Sequence, residues 1–285
     1  MKGTKMKGKI YLVATPIGNL EDITLRAIRV LQEVDLIAAE DTRHTLKLLN
    51  HLNIKKPMIS YHRHNEEVKT EELLAQVKEG KNIAIVTDAG TPGISDPGEE
   101  IVKEAILQGI EIIPIPGACA LINALIVSGL DTKEFSFFGF LSIHTKIKQK
   151  QIEKIQQENK TVILYEAPHK LRKTLKSLQD RLGDISIVAV KELTKIHEKV
   201  YRGKISQVLE ELEEELKGEF VILLSKQEKE ERDWNTISLE EHYSYYQEKG
   251  MEKKEIIKQI AKDRKQSKNE IYQYFIEKEI GRNPS

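Results

Sequence analysis

Two short stretches concentrate the residues able to do chemistry. "EDTRHT", residues 40–45, sets a carboxylate (Asp41), a cation (Arg43) and an imidazole (His44) side by side, and an acid, a base and a cation together can position a hydroxyl and a phosphate. Its plainer reading is helix capping, with Asp41 or Thr42 as N-cap and Arg43 in solvent. "TDAGTPGISDPG", residues 87–98, follows the apolar run Ile83 to Val86 directly and holds two Asp, three Gly and two Pro. A simple reversal needs only an Asn-Gly pair. This loop instead suits a ligand approached by backbone: Gly90, Gly93 and Gly98 let amides come close, and the prolines keep the loop from collapsing when empty.

Several ligand classes lack their residues. No G-x-G-x-x-G follows the first strand-like run and no G-x-x-x-x-G-K-[ST] occurs, so classical dinucleotide and P-loop sites are not expected. His62 and His64 flank Arg63, and a cation between two imidazoles argues against a metal. Lys plus Arg and Asp plus Glu number 45 each, so any attraction to nucleic acid must come from a local basic face. One cysteine, Cys119, excludes an intramolecular disulfide and fits a reducing compartment. The basic N-terminus runs into an apolar segment too short for a signal peptide, and the longest apolar stretch, 113–130, is broken by Pro114, Pro116, Gly117 and Asn123. A cytoplasmic protein with no membrane segment and no metal is expected.

The elements that must position these loops are strands and helices in alternation. Residues 9–129 read as five βα units whose strands are short continuous apolar runs, the pattern of a parallel sheet covered on both faces. Each strand is followed by a polar or Gly/Pro-rich segment: 15–19, 40–45, 61–67, 87–98 and 114–120. In open parallel sheets ligands bind beyond these carboxyl ends. From "FSFFGF" (135–140) onward strands adjoin more often, which predicts a mixed sheet. The expected organisation is an N-terminal α/β domain (1–130), a second α/β domain (131–228) and a helical C-terminal domain (229–285). In the last, a Ser267-x-x-Glu270 capping box opens the third helix. Lys253, Lys254, Lys258, Lys262, Arg264, Lys265 and Lys268 crowd a helix-turn-helix-like turn, readable equally as a nucleic-acid contact or a solvated cap. Tyr243, Tyr245 and Tyr246 fit packing better than base stacking.

The blocks "VATPIGNLEDITLRAIRVLQEVDLIAAEDTRHT", "TDAGTPGISDPG", "PIPGACA", "YEAPHKL" and "KELTKIHEKVYRG", in this order, resemble the tetrapyrrole-methylase superfamily and, within it, the ribosomal RNA small-subunit methyltransferase I branch. The resemblance covers residues 9 to about 225. It implies S-adenosylmethionine bound in a cleft between two α/β domains, a homodimer, and methylation of the ribose 2′-oxygen of a cytidine in the decoding region of small-subunit rRNA. It further implies that Pro16 and Gly18 border the cofactor and that Gly90, Thr91 and Ile94 form the main cofactor loop with Asp88 at its base. Cys119 and Ala120 would follow the fifth strand, and Tyr165 with Glu166 would reach over from the second domain. Thr91 stands where many members carry an acid, and "GFLS" (139–142) replaces a common "GFLP".

Methyl transfer needs near-attack geometry, and a base that takes the hydroxyl proton adds roughly 100-fold or more. The candidates are Asp41, His44, His62, His64, Glu166 and Lys191, with Arg43 as the cation beside the first two. Glu166 reads equally as a strand end before the helix that opens at Pro168, and Lys191 as half of an ion pair. A porphyrin or corrinoid methyltransferase and a non-catalytic cofactor-sensing RNA-binding regulator remain alternatives. The substrate is either naked rRNA or the assembled small subunit.

Overall fold

The computed structural model describes residues 7–225, 234–248 and 250–281, with 277–281 as backbone alone. The boundary expected at 228/229 lies outside them. Two compact units result, Met1–Gln227 and Glu228–Ser285.

The first unit begins with five βα repeats: β1 (Ile10–Val13), α1 (Leu25–Glu33), β2 (Leu36–Ala39), α2 (Thr42–His51), β3 (Met58–Ser60), α3 (Glu66–Lys78), β4 (Ile83–Val86), α4 (Glu99–Leu107), β5 (Ile112–Ile115) and α5 (Ala120–Ser128). Their strands form one sheet in the order β3-β2-β4-β1-β5, with every pairing parallel. Burial on both faces explains the continuous apolar runs: β2 and β4 are buried at every residue. Pro114, which lacks an N–H, sits on the edge strand β5. One face packs Leu73, Leu74 and Val77 of α3 with Ile101 and Ala105 of α4. The other packs Ala27, Val30 and Leu31 of α1 with Leu49 of α2.

The second half of the unit runs β6 (Phe135–Phe140), α6 (Thr145–Gln157), β7 (Thr161–Glu166), α7 (Pro168–Leu182), β8 (Ser186–Lys191), β9 (Lys199–Lys204), α8 (Ile205–Glu211) and β10 (Phe220–Leu224). Its sheet is mixed, in the order β6-β7-β10-β8-β9: β6 and β7 are parallel and the other pairs antiparallel. Residues of α6, α7 and α8 cover one face. The opposite face is covered by α5, whose Leu121, Ala124 and Leu125 join Ile163, Val188, Val190, Val221 and Leu223 in one core. The helix of the fifth repeat thus packs on the second sheet. Its sequence, ALINALIVS, is apolar on nearly every side, so it can serve a core and still present another apolar face.

The run "FSFFGF" forms β6 and is mostly covered. Strand alternation sends Phe137 and Phe138 to opposite cores, and only the terminal Phe135 and Phe140 are exposed.

In the second unit α9 (Leu239–Glu248), α10 (Lys253–Asp263) and α11 (Lys268–Gly281) enclose Ile256, Ile257, Ile260, Ala261 and Ile271, with Tyr243, Tyr246 and Phe275 packed against them. Trp234 stacks on the buried His242 at 3.8 Å between centroids. The His242 ring also meets Asp263 at 3.2 Å and accepts from Arg264 Nε at 3.1 Å. Tyr243 and Tyr246 therefore belong to a core. A full capping box opens α9, with Glu241 N–H donating to Ser238 Oγ and Ser238 N–H to Glu241. The box read at Ser267 forms in its Glu270 half, at 3.3 Å, while Ser267 Oγ accepts from Asn269 N–H. Among the described residues no helix is long and apolar enough to cross a membrane.

Candidate active site

The loops after β1 and β4, from adjacent strands of the parallel sheet, are stitched together at their bases. Thr15 N–H donates to Gly90 O at 2.9 Å and Gly90 N–H returns to Thr15 O at 3.1 Å, while Thr15 Oγ1 donates to Thr87 O at 3.2 Å. Gly90 takes φ +83°, a left-handed conformation that L side chains rarely adopt. Its amide is therefore spent on the loop, as is that of Gly93, which donates to Pro97 O at 3.1 Å. This revises the expectation that these glycines turn their amides to a ligand: they let the loop hold its shape. Thr91 Oγ1 ties the same loop to Ala118 O at 3.1 Å.

These loops and the second sheet enclose a cavity of about 470 Å³, within the range of small-molecule sites. Asp88, Gly90, Thr91, Ile94, Cys119, Ala120, Tyr165 and Glu166 all line it, and Ile17 lines it between Pro16 and Gly18. Tyr165 Oη accepts the Leu121 N–H at 3.0 Å, at the start of α5, and its ring meets Phe137 and Phe140 edge to face. Burial pushes its phenol well above the usual range. A Cβ on Gly18 would fall 2.3 Å from Lys195 Cγ, so this glycine makes room for Lys195 of the β8–β9 loop, which pairs with Glu192 of the same loop at 2.7 Å.

Other sequence candidates stand elsewhere. Asp41 is the N-cap of α2, accepting from Arg43 N–H at 2.8 Å and pairing with the Arg43 guanidinium at 2.7 Å. The Arg43 hydrogen bonds hold its carboxyl far below the usual carboxylate range. Arg43 and His44 are exposed, and none of the three lines the cavity. Glu166 lines it but is engaged, accepting from Thr174 Oγ1 at 2.6 Å and from Ala167 N–H at 2.9 Å at the start of α7. Lys191, 7 % exposed, pairs with Glu213 at 2.9 Å and faces a separate shallow depression. The His62 and His64 rings lie 5.9 Å apart. Among the described residues no group of three or more His, Cys, Asp or Glu is placed to hold a metal.

Glu40, Asp88 and Asp96 line the cavity on the side of the parallel sheet, and Glu166, Glu192 and Glu219 line it from the second sheet. Asp88 accepts from Asp41 N–H at 3.1 Å, and Asp88 N–H donates to Glu40 at 3.4 Å. Asp96 is pushed up to about 6, first by burial and then by the Glu40 charge. Asp88 and Glu219 push the same way and Arg63 opposes them. Burial also raises Glu40. Sequence reasoning passed over Glu40 and Asp96. The acid before Pro97-Gly98 reads as a turn residue, and only the folded loop turns it inward. The chemistry available is a carboxylate, pushed up to about 6, that can accept a proton from a hydroxyl, beside further carboxylates suited to a cationic ligand and apolar walls from Ile17, Ile94, Phe140 and Leu193.

The model of the family described as Tetrapyrrole (Corrin/Porphyrin) Methylases matches residues 9–209. A protein of Synechocystis sp. named "Ribosomal RNA small subunit methyltransferase I" is 48 % identical over 95 % of this chain and 99 % of its own length. The Bacillus subtilis protein of the same name is 45 % identical over 96 % of each. Among solved structures, a diphthine synthase aligns with TM-score 0.63 at 15 % identity, covering 77 % of this chain and 90 % of its own. A uroporphyrin-III-C-methyltransferase from Thermus thermophilus aligns with TM-score 0.54 at 21 % identity, covering 77 % and 95 %. These two likenesses establish the fold. With the five βα repeats, the mixed second sheet and the cavity between them all inside matched sequence, the chain belongs to the tetrapyrrole (corrin/porphyrin) methylase family, alongside relatives named ribosomal RNA small subunit methyltransferase I.

Proposed function

We propose that this chain is an S-adenosylmethionine-dependent methyltransferase acting in the cytoplasm on the 2′-oxygen of a cytidine ribose in the decoding region of small-subunit rRNA. The observation that carries the reading is the identity of 45–48 % along nearly the whole chain with proteins of that name. The cavity suits the cofactor: its carboxylates answer a sulfonium and an ammonium, its apolar walls an adenine, and its volume of about 470 Å³ the whole molecule. Gly90, Thr91, Ile94, Cys119, Ala120 and Tyr165 would hold it, with Ile17 between Pro16 and Gly18, and Asp88 at the loop base. S-adenosylmethionine supplies, when bound, an electrophilic methyl group. Asp96 accepts the ribose hydroxyl proton, since its carboxyl titrates near 6 and is ionised at neutral pH yet basic enough to help. Asp41, held strongly acidic by Arg43, caps α2, and Glu166 ties the start of α7 through Ala167 N–H and Thr174.

RNA is met by the second unit. Lys254, Lys258 and Lys262 recur at i, i+4 and i+8 along the solvent side of α10 and are exposed, as is Lys265 beyond it. This row matches a run of phosphates. Labelled methyl transfer to small subunits, mapped by mass spectrometry, should place one ribose methyl on a decoding-region cytidine. The K254A/K258A/K262A variant should flatten the salt slope of RNA binding by roughly 2–3. A methylated porphyrin and unmodified RNA would replace this reading with the ring-methylase alternative, and an unchanged slope would leave the lysines as a solvated cap.

A homodimer is supported by the outer face of α5, where Ile122, Ile126 and Val127 are exposed together, Ile126 at 66 %. Light scattering should return twice the chain mass, and Ile126→Glu should shift it toward the monomer. A monomeric parent at micromolar concentration removes the proposal.

A further inference from the structure

Residues 91–98 reverse direction at Ser95, a non-glycine residue at φ +67°. Such a conformation is strained for a residue with a side chain and persists only where its surroundings hold it. Asp96 is the next residue and lines the cavity. The group that reaches this turn from outside the loop is Arg63, whose Nη2 donates to the Ser95 carbonyl across the gap from the β3–α3 loop. Nearby, a Cβ on Gly139 would come within 3.2 Å of Ser95 Oγ, so the turn is backed by β6 on another side.

We infer that Arg63 is a positioning residue for catalysis, latching the left-handed Ser95 turn that holds Asp96 in the cavity wall and bringing a guanidinium charge to that loop. This rests on the reading of Asp96 as the base. The charged groups acting on Asp96 are Glu40 just after β2, Arg63, Asp88 at the base of its own loop, and Glu219 just before β10; the Tyr165 phenol also feels it. Three of these are acids that favour the protonated form, and Arg63 is the cation that opposes them. The same guanidinium acts on Glu40 in the same sense. Arg63, whose charge between His62 and His64 argues against a metal there, is a donor and a charge directed at a neighbouring loop.

Arg63 is exposed, so its substitution should leave the fold intact. Arg63→Gln removes the charge, and Arg63→Lys keeps the charge while losing the guanidinium's geometry. The measurement is the pH dependence of kcat/KM for small subunits at saturating S-adenosylmethionine, with Asp96→Asn alongside. A base acts when ionised, so the rate rises with pH through its pKa. Losing the cation raises that pKa, so the Arg63→Gln midpoint should move to higher pH. A shift of about one unit, the low end for a nearby opposite charge, cuts the rate roughly fivefold at pH 6 and by only about a tenth at pH 8. Arg63→Lys should restore the midpoint in part, and hydrogen exchange across 91–98 should quicken in both variants. An Arg63→Gln midpoint equal to the parent's, with Asp96→Asn inactive, overturns the role of Arg63. An Asp96→Asn variant that keeps rate and profile overturns the underlying assignment of the base.

Discussion

Asp96→Asn should lower single-turnover methylation of small subunits by about 100-fold or more, the usual contribution of a positioned base, while cofactor affinity stays within about twofold. The substitution preserves shape while removing the negative charge and the ability to take a proton, and the other carboxylates that line the cavity remain for the cofactor's cationic groups. Asp41→Asn is the informative companion. Its carboxyl is committed to the α2 N-terminus and to Arg43, and Asn is an equally good N-cap, so its rate should remain near the parent's. Stability should move in the opposite direction from activity. The Asp96 carboxyl titrates near 6 in the folded chain against an ordinary 3.8, so folded protein holds a proton that unfolded chain has released, and stability falls as pH rises through that window. Asp96→Asn removes this penalty. After allowance for solvent screening it is worth about 1 kcal/mol, which raises Tm by roughly 2–4 °C at pH 7 to 8 and leaves it unchanged near pH 3. Parent-like activity in Asp96→Asn would move the proton acceptor elsewhere, and an unaltered Tm at pH 8 would mean that the carboxylate is not destabilised in the fold.

Gly90→Val should abolish measurable binding of S-adenosylmethionine by calorimetry. At φ +83° a β-branched residue has no comfortable conformation. Even a bare Cβ there sits 3.3 Å from Ile17 Cγ2, and valine carries two more carbons into the same space. The loop must then give up its paired hydrogen bonds to Thr15, which displaces Ile17 and Thr91 from the cavity wall together. Gly90→Ala serves as the graded control. It pays about 1–2 kcal/mol of left-handed strain with a tight but tolerable contact, so it should fold and bind about tenfold more weakly. Parent-like affinity in both variants would detach this loop from the ligand.

The sequence by itself determined the alternation of elements and the loops that matter. Continuous apolar runs such as "LIAA" and "IAIV" can be satisfied only with both faces covered, and the Gly/Pro-rich segments behind them must stand at one edge of a parallel sheet. The family followed from the same blocks, because their residues are read in order along the chain. Which side chains meet was decided only by the tertiary structure. Asp41 and Arg43, two positions apart in sequence, satisfy one another and an α-helix N-terminus, a local outcome that leaves them outside the cavity lining. Lys191 and Val190 are neighbours on a strand, yet alternation sends one to Glu213 and the other to the cavity. Glu40, Asp96 and Arg63 come from three separate loops, and their mutual fields arise when the switch in strand order brings those loop ends together. The fifth helix joined the second sheet rather than the first, because a helix apolar on nearly every side can pack on either and the competition between cores settles it. Periodicity reports how much apolar surface must be buried; the partner that buries it, and the charge field that results, depend on residues far apart in the chain.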